Sequence, residues 1–178
     1  MVELATPSLL TLSSAGKRDF LRIVDLLIRA DNQLTLFDFT VRWLLNKLLT
    51  EKENVSSKIC FFYYAQVAAD IFTLLNVLAW AGNTADPRKA KQALNAGLVR
   101  IPEIAEKTGN FQYDENISFS DVGRCLDKIS ASSFRIKQSV IDACAHCAFF
   151  DREVTVSESD LLRVVSLALG CPLPPFLP

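Results

Sequence analysis

Apolar residues recur along this chain at spacings of three and four, and no alternating β-branched run interrupts them, so the pattern predicts helices throughout. Phe20, Ile23, Val24, Leu27 and Ile28 place a first helix from about Gly16 to Ala30, capped by Ser13 or Ser14, with that stripe buried. A second helix opens near Leu36 and buries Phe37, Val41, Leu44, Leu45 and Leu48. The polar run from Glu51 to Ser57 separates it from a long third helix, Ile59 to Ala81, which Gly82 and Asn83 end. That third segment is long and apolar enough to span a bilayer. Gln66, Asp70, Thr73 and Asn76 nevertheless share one stripe on it, and an Asp at mid-bilayer costs about 2.5 to 3.5 kcal/mol. The expectation is a buried central helix of a soluble bundle that does not itself insert into a membrane.

Asp86-Pro87 is an N-cap followed by proline at the first helical position, opening a fourth helix with Ala90, Ala93, Leu94, Gly97, Leu98 and Ile101 on one face. Residues 102–117 form a polar connection containing Gly109-Asn110, and Lys107 to Ser118 is the expected mobile loop. A short helix is predicted near Ser120 to Ser130. Val140, Ala143, Cys144, Cys147 and Ala148 mark a sixth helix, and Leu161, Val164, Val165, Ala168 and Leu169 a seventh, with Gly170 as its stop. The Pro-rich tail, Cys171 to Pro178, is read as an extended strap on the bundle. The predicted fold is therefore all-α: one domain over 1–178, a bundle of about seven helices in pseudo-halves of about 1–101 and 118–178.

One segment occurs twice. Ala30-Asp31-Asn32-Gln33-Leu34-Thr35-Leu36-Phe37-Asp38 is answered by Phe150-Asp151-Arg152-Glu153-Val154-Thr155-Val156-Ser157-Glu158, with corresponding acids 120 residues apart (31 to 151, 38 to 158). Such recurrence predicts a helix-turn-helix unit used twice. Thr35 with Asp38, and Thr155 with Glu158, have capping-box spacing, in which hydroxyl and carboxylate each satisfy a backbone N–H at the helix start. The functional alternative is that Asp31, Asp38, Asp151, Glu153 and Glu158 supply oxygen ligands for a hard cation. EF-hand spacing is absent: counting from Asp151, position twelve is Leu162, and from Asp31 it is Arg42.

Composition narrows the chemistry. The 178 residues are 50% hydrophobic, and 19 basic against 20 acidic residues give a net charge of −1, so nucleic acid is not an expected partner. Five cysteines, mostly inside apolar runs, suit a reducing, cytoplasmic setting. In Cys144-Ala145-His146-Cys147 the two thiols share a helix face while His146 points about 200° away from Cys144 and alongside Asp142, so the group does not converge on zinc. His146 is the sole histidine, which excludes an H-E-x-x-H helix, and no glycine-rich phosphate loop is present. No metal site, no cofactor and no catalytic set is expected in this chain.

The twice-used turn, Asp-x-x-apolar-Thr-apolar-x-acid, preceded by alanine in the first copy, resembles the tellurite-resistance TerB-like fold, although Asn32 and Arg152 stand where that family usually has glycine. A fuller resemblance runs through Leu12 to Leu21, Ile28 to Asp31, Leu78 to Gly82 with Ala96-Gly97-Leu98, Val140 to Cys144, Ser157 to Arg163 and Cys171 to Pro175. These stretches resemble the C-terminal region of bacterial HtpX-like membrane zinc metallopeptidases, where a helical TerB-like region follows the protease. The resemblance implies a non-catalytic accessory or regulatory domain acting by protein–protein interaction, on the protease domain of the same polypeptide or on another protein. It further implies zinc only in the parent protease, and a cytoplasmic location tethered to the inner membrane through an N-terminal part missing here. The alternative is a free-standing TerB-like protein in ion or envelope-stress response. The acid turns and the Lys107 to Ser118 loop are the candidate binding surfaces.

Overall fold

The computed structural model describes residues 7–30, 36–50, 59–83, 86–106 and 119–172. Among them every regular element is a helix apart from one isolated bridge, so the all-α expectation holds. In chain order, after a helical turn over 7–10, they are α1 (Ser14–Ala30), α2 (Leu36–Thr50), α3 (Tyr64–Gly82), α4 (Pro87–Leu98), α5 (Pro102–Ala105), α6 (Phe119–Ser130), α7 (Phe134–Ala148) and α8 (Val156–Leu169). The chain divides into two compact units, Met1–Ser56 and Ser57–Pro178. The division falls in the polar run that separates the second predicted helix from the third.

In the first unit α1 packs on α2 as a helical hairpin. Leu44, Leu45 and Leu49 of α2 are buried, and Val41 and Leu48 are half-buried. The stripe predicted for α1 is only partly covered: Phe20, Val24 and Ile28 are half-buried, while Ile23 and Leu27 stay 52% and 67% exposed. The physical reason is geometric. Apolar residues occupy well over half the circumference of α1, and within the first unit α2 shields only one line of them.

The second unit is organised around α3, which packs against α4, α5, α6, α7 and α8. Val67, Ile71, Leu74, Leu75, Leu78 and Ala79 are at most 1% exposed, and full burial of each large aliphatic chain contributes about 1.5 to 3 kcal/mol. Helix α3 is also the one helix among the described residues long and apolar enough to cross a membrane by length and composition. Two members of its polar stripe, Asp70 and Asn76, are buried, Thr73 is half-buried and Gln66 is exposed; Asp70, 9% exposed, accepts from Lys128 Nζ on α6 at 2.6 Å.

Helix α3 starts at Tyr64, five residues later than its apolar run predicts. Residues 59–63 are diverted into an extended stretch by the turn between α6 and α7. Cys60 N donates to Ala131 O, and Ser133 N donates to Phe61 O, both at 2.8 Å, giving an isolated parallel bridge between Phe61 and Ser132. Gln66 then fixes the helix start, its Oε1 accepting from Phe62 N and Tyr63 N at 3.1 Å. At the other end Asn83 donates from its backbone to Trp80 O and from Nδ2 to Ala79 O.

The remaining helices follow their sequence signals. Asp86 Oδ1 caps α4 by accepting from Arg88 N and Lys89 N at 2.9 and 3.3 Å, and the predicted face from Ala90 to Ile101 is buried. On that face Gly97 lets α4 approach α7 closely: a Cβ there would lie 2.9 Å from Ala143 O. Pro102 starts the short α5 inside the stretch read as a polar connection, anchored by the fully buried Ile104. Both apolar stripes predicted for α7 and α8 are buried, and Gly170 ends α8 at φ 63°, the left-handed geometry glycine tolerates. The Lys107 to Ser118 loop and the tail beyond Pro172 lie outside the described residues.

Candidate functional site

Among the described residues two pairs of helices recur at the spacing of the repeated acids. Helices α1 and α7 start 120 residues apart (14 to 134), as do α2 and α8 (36 to 156). The first acid turn belongs to the first unit and the second to the other. Asp31 and Thr35 lie outside the described residues, and Asp38 sits half-buried in the first turn of α2.

The second turn is defined in full. Glu158 N donates to Thr155 Oγ1 at 3.2 Å, while Thr155 N and Oγ1 donate to Glu158 Oε2 at 2.9 and 2.7 Å: the capping box that the spacing predicts. Glu158 is only 3% exposed, because its other oxygen lies over Gly82 at the end of α3. A Cβ on Gly82 would come within 1.9 Å of that Oε1. Glycine at 82 therefore does more than end a helix; it vacates the seat of the capping carboxylate.

Asp151 and Glu153 are exposed, and Asp151 Oδ1 accepts from Glu153 N at 3.1 Å in a local turn. Between them Arg152 adopts φ 66°, the sole non-glycine residue with positive φ among those described. Left-handed backbone is the conformation that glycine adopts most readily and that a residue with a Cβ adopts only under strain. Arg152→Gly is expected to stabilise the protein by about 0.5 to 1 kcal/mol, the relief of left-handed strain exceeding the extra chain entropy of glycine. Thermal melts of the two proteins check this, and a lower melting temperature for the glycine variant would refute it.

The acids of the second turn thus separate into a buried cap, Glu158, and two exposed side chains around a tight turn. Among the described residues no three His, Cys, Asp or Glu side chains come together as a metal-holding group. Cys144 and Cys147 are fully buried on α7, whereas His146 is half-exposed, with Nε2 3.6 Å from Asp142 Oδ1. Asp142 also accepts from Arg100 Nε at 2.8 Å.

Burial decides the chemistry of the thiols. Desolvation pushes Cys144 up to about 12 and Cys125 up to about 11, the nearby Asp70 carboxylate adding to the shift at Cys125. Cys147 is likewise raised by burial. Thiolate is the nucleophilic form, so these cysteines are inert in the folded protein. In a thiol titration at pH 8 the exposed Cys60 should react first, with Cys144 and Cys147 at least a hundredfold slower until denaturant is added. Two or more fast thiols in the native protein would contradict this placement.

Sequence reasoning missed two polar clusters. Asp70 and Lys128 meet across α3 and α6, with Lys128 Nζ also 5.6 Å from the centre of the Phe61 ring. In the hairpin of the first unit, a cavity of about 220 Å³ is lined by Leu21, Asp25, Phe39, Arg42, Trp43 and Asn46. Arg42 binds Asp25 there through both carboxylate oxygens, the Nη2–Oδ2 contact measuring 3.0 Å. Lys47 Nζ stands 4.8 Å from the centre of the Trp43 ring. Neither pair has a signal in the linear chain, since the partners are far apart in sequence and share no motif.

Comparison with protein-family models, curated proteins and solved structures finds no match to this chain.

Proposed function

We propose that this chain is a non-catalytic helical domain that acts by binding another protein, as an accessory or regulatory region of a membrane-associated zinc metallopeptidase. The observation that carries the reading is the resemblance to the C-terminal region of such proteases, which extends in segments from Leu12 to Pro175. It is supported by the way the chain uses its reactive side chains. Glu158 is consumed as a cap, Cys144 and Cys147 are sealed in a helix interface, and His146 faces Asp142 rather than the thiols. What such a body offers a partner is surface: the exposed Asp151 and Glu153 of the second turn, and the exposed apolar residues of α1.

The reading is tested by supplying this chain to a metallopeptidase of that class truncated after its protease part. Cleavage rate, substrate choice or the lifetime of the protease should change, and substitution of Asp151 and Glu153 together should weaken the change. No effect on any of the three would sink the proposal. The coding sequence upstream of Met1 gives an independent check: it should encode apolar spans and an H-E-x-x-H helix. An ordinary start there would favour a free-standing protein instead.

A further inference from the structure

We draw no further inference here: the strongest candidate, the exposed apolar face of α1 formed by Ile23, Leu26 and Leu27, is an unpartnered surface, and nothing in the structure shows what covers it.

Discussion

Replacing Gly82 with alanine should cost about 2 to 3 kcal/mol of stability, and most of that cost should vanish when Glu158 is alanine as well. The expectation follows from one contact. A methyl group at 82 would sit 1.9 Å from Glu158 Oε1, so the carboxylate must leave its seat. It would then abandon Thr155 N and Thr155 Oγ1, part-buried bonds to a charged acceptor of a kind worth about 1.5 to 3 kcal/mol. Glu158→Ala alone should cost a comparable amount, through the lost cap and the space opened beside α3. In the double variant the new methyl meets no carboxylate and gains the small helical preference of alanine over glycine. The pair should therefore be about as stable as Glu158→Ala alone, giving a coupling of roughly 2 kcal/mol. Denaturant midpoints of the four proteins measure it. Simple additivity of the two single effects would show that the contact is absent in solution.

Gly97→Val should be the other severely destabilising glycine substitution, at about 3 kcal/mol, within the range for an overfilled core. Position 97 faces three neighbours at once: Ala143 O at 2.9 Å, Cys147 Cβ at 3.1 Å and Leu75 Cδ2 at 3.2 Å from a Cβ placed there. One of these is backbone, so rotamer changes cannot relieve it and α4 must move away from α7. Separating them exposes Ala93 and Leu94, which are now buried. For a chain of this size the loss corresponds to roughly 6 to 12 °C in melting temperature. Gly16→Ala is the control. The nearest neighbours of a Cβ at position 16 are 3.4 Å or more away, so a methyl group added there should be neutral or stabilising by up to about 1 kcal/mol. Equal effects at the two glycines would mean that helix propensity, not the approach of α4 to α7, governs both.

How much of this was visible in the linear chain depends on how local each cause is. Asp86-Pro87, Thr155 with Glu158, and Gly170 act within a few residues of themselves, and each helix end they specify is found where they place it. The faces of α4, α7 and α8 were legible because their periodic apolar residues are all buried, although on α7 burial extends beyond that stripe to Ile141 and Ala145. The start of α3 was not, because it is set by Ser132, 71 residues beyond its bridge partner Phe61 (61 to 132). The exposure of Ile23 and Leu27 was not legible either: periodicity shows which residues could be covered, not how many neighbours arrive to cover them. At the second turn, the capping role of Glu158 could be read from its spacing to Thr155. Its seat on Gly82, far earlier in the chain, belongs to tertiary packing alone. The left-handed backbone at Arg152 was not legible, because arginine carries no local preference for that conformation.

The central position of α3 also bears on how the protein is made. Its apolar surface is completed by α7 and α8, and α8 ends 87 residues after α3 does (82 to 169). At about 5 to 20 residues per second, a ribosome takes roughly 4 to 17 s to supply that remainder. Throughout that interval a nascent chain carries its greasiest helix without its final covering, the kind of transiently exposed apolar surface that chaperones exist to shield.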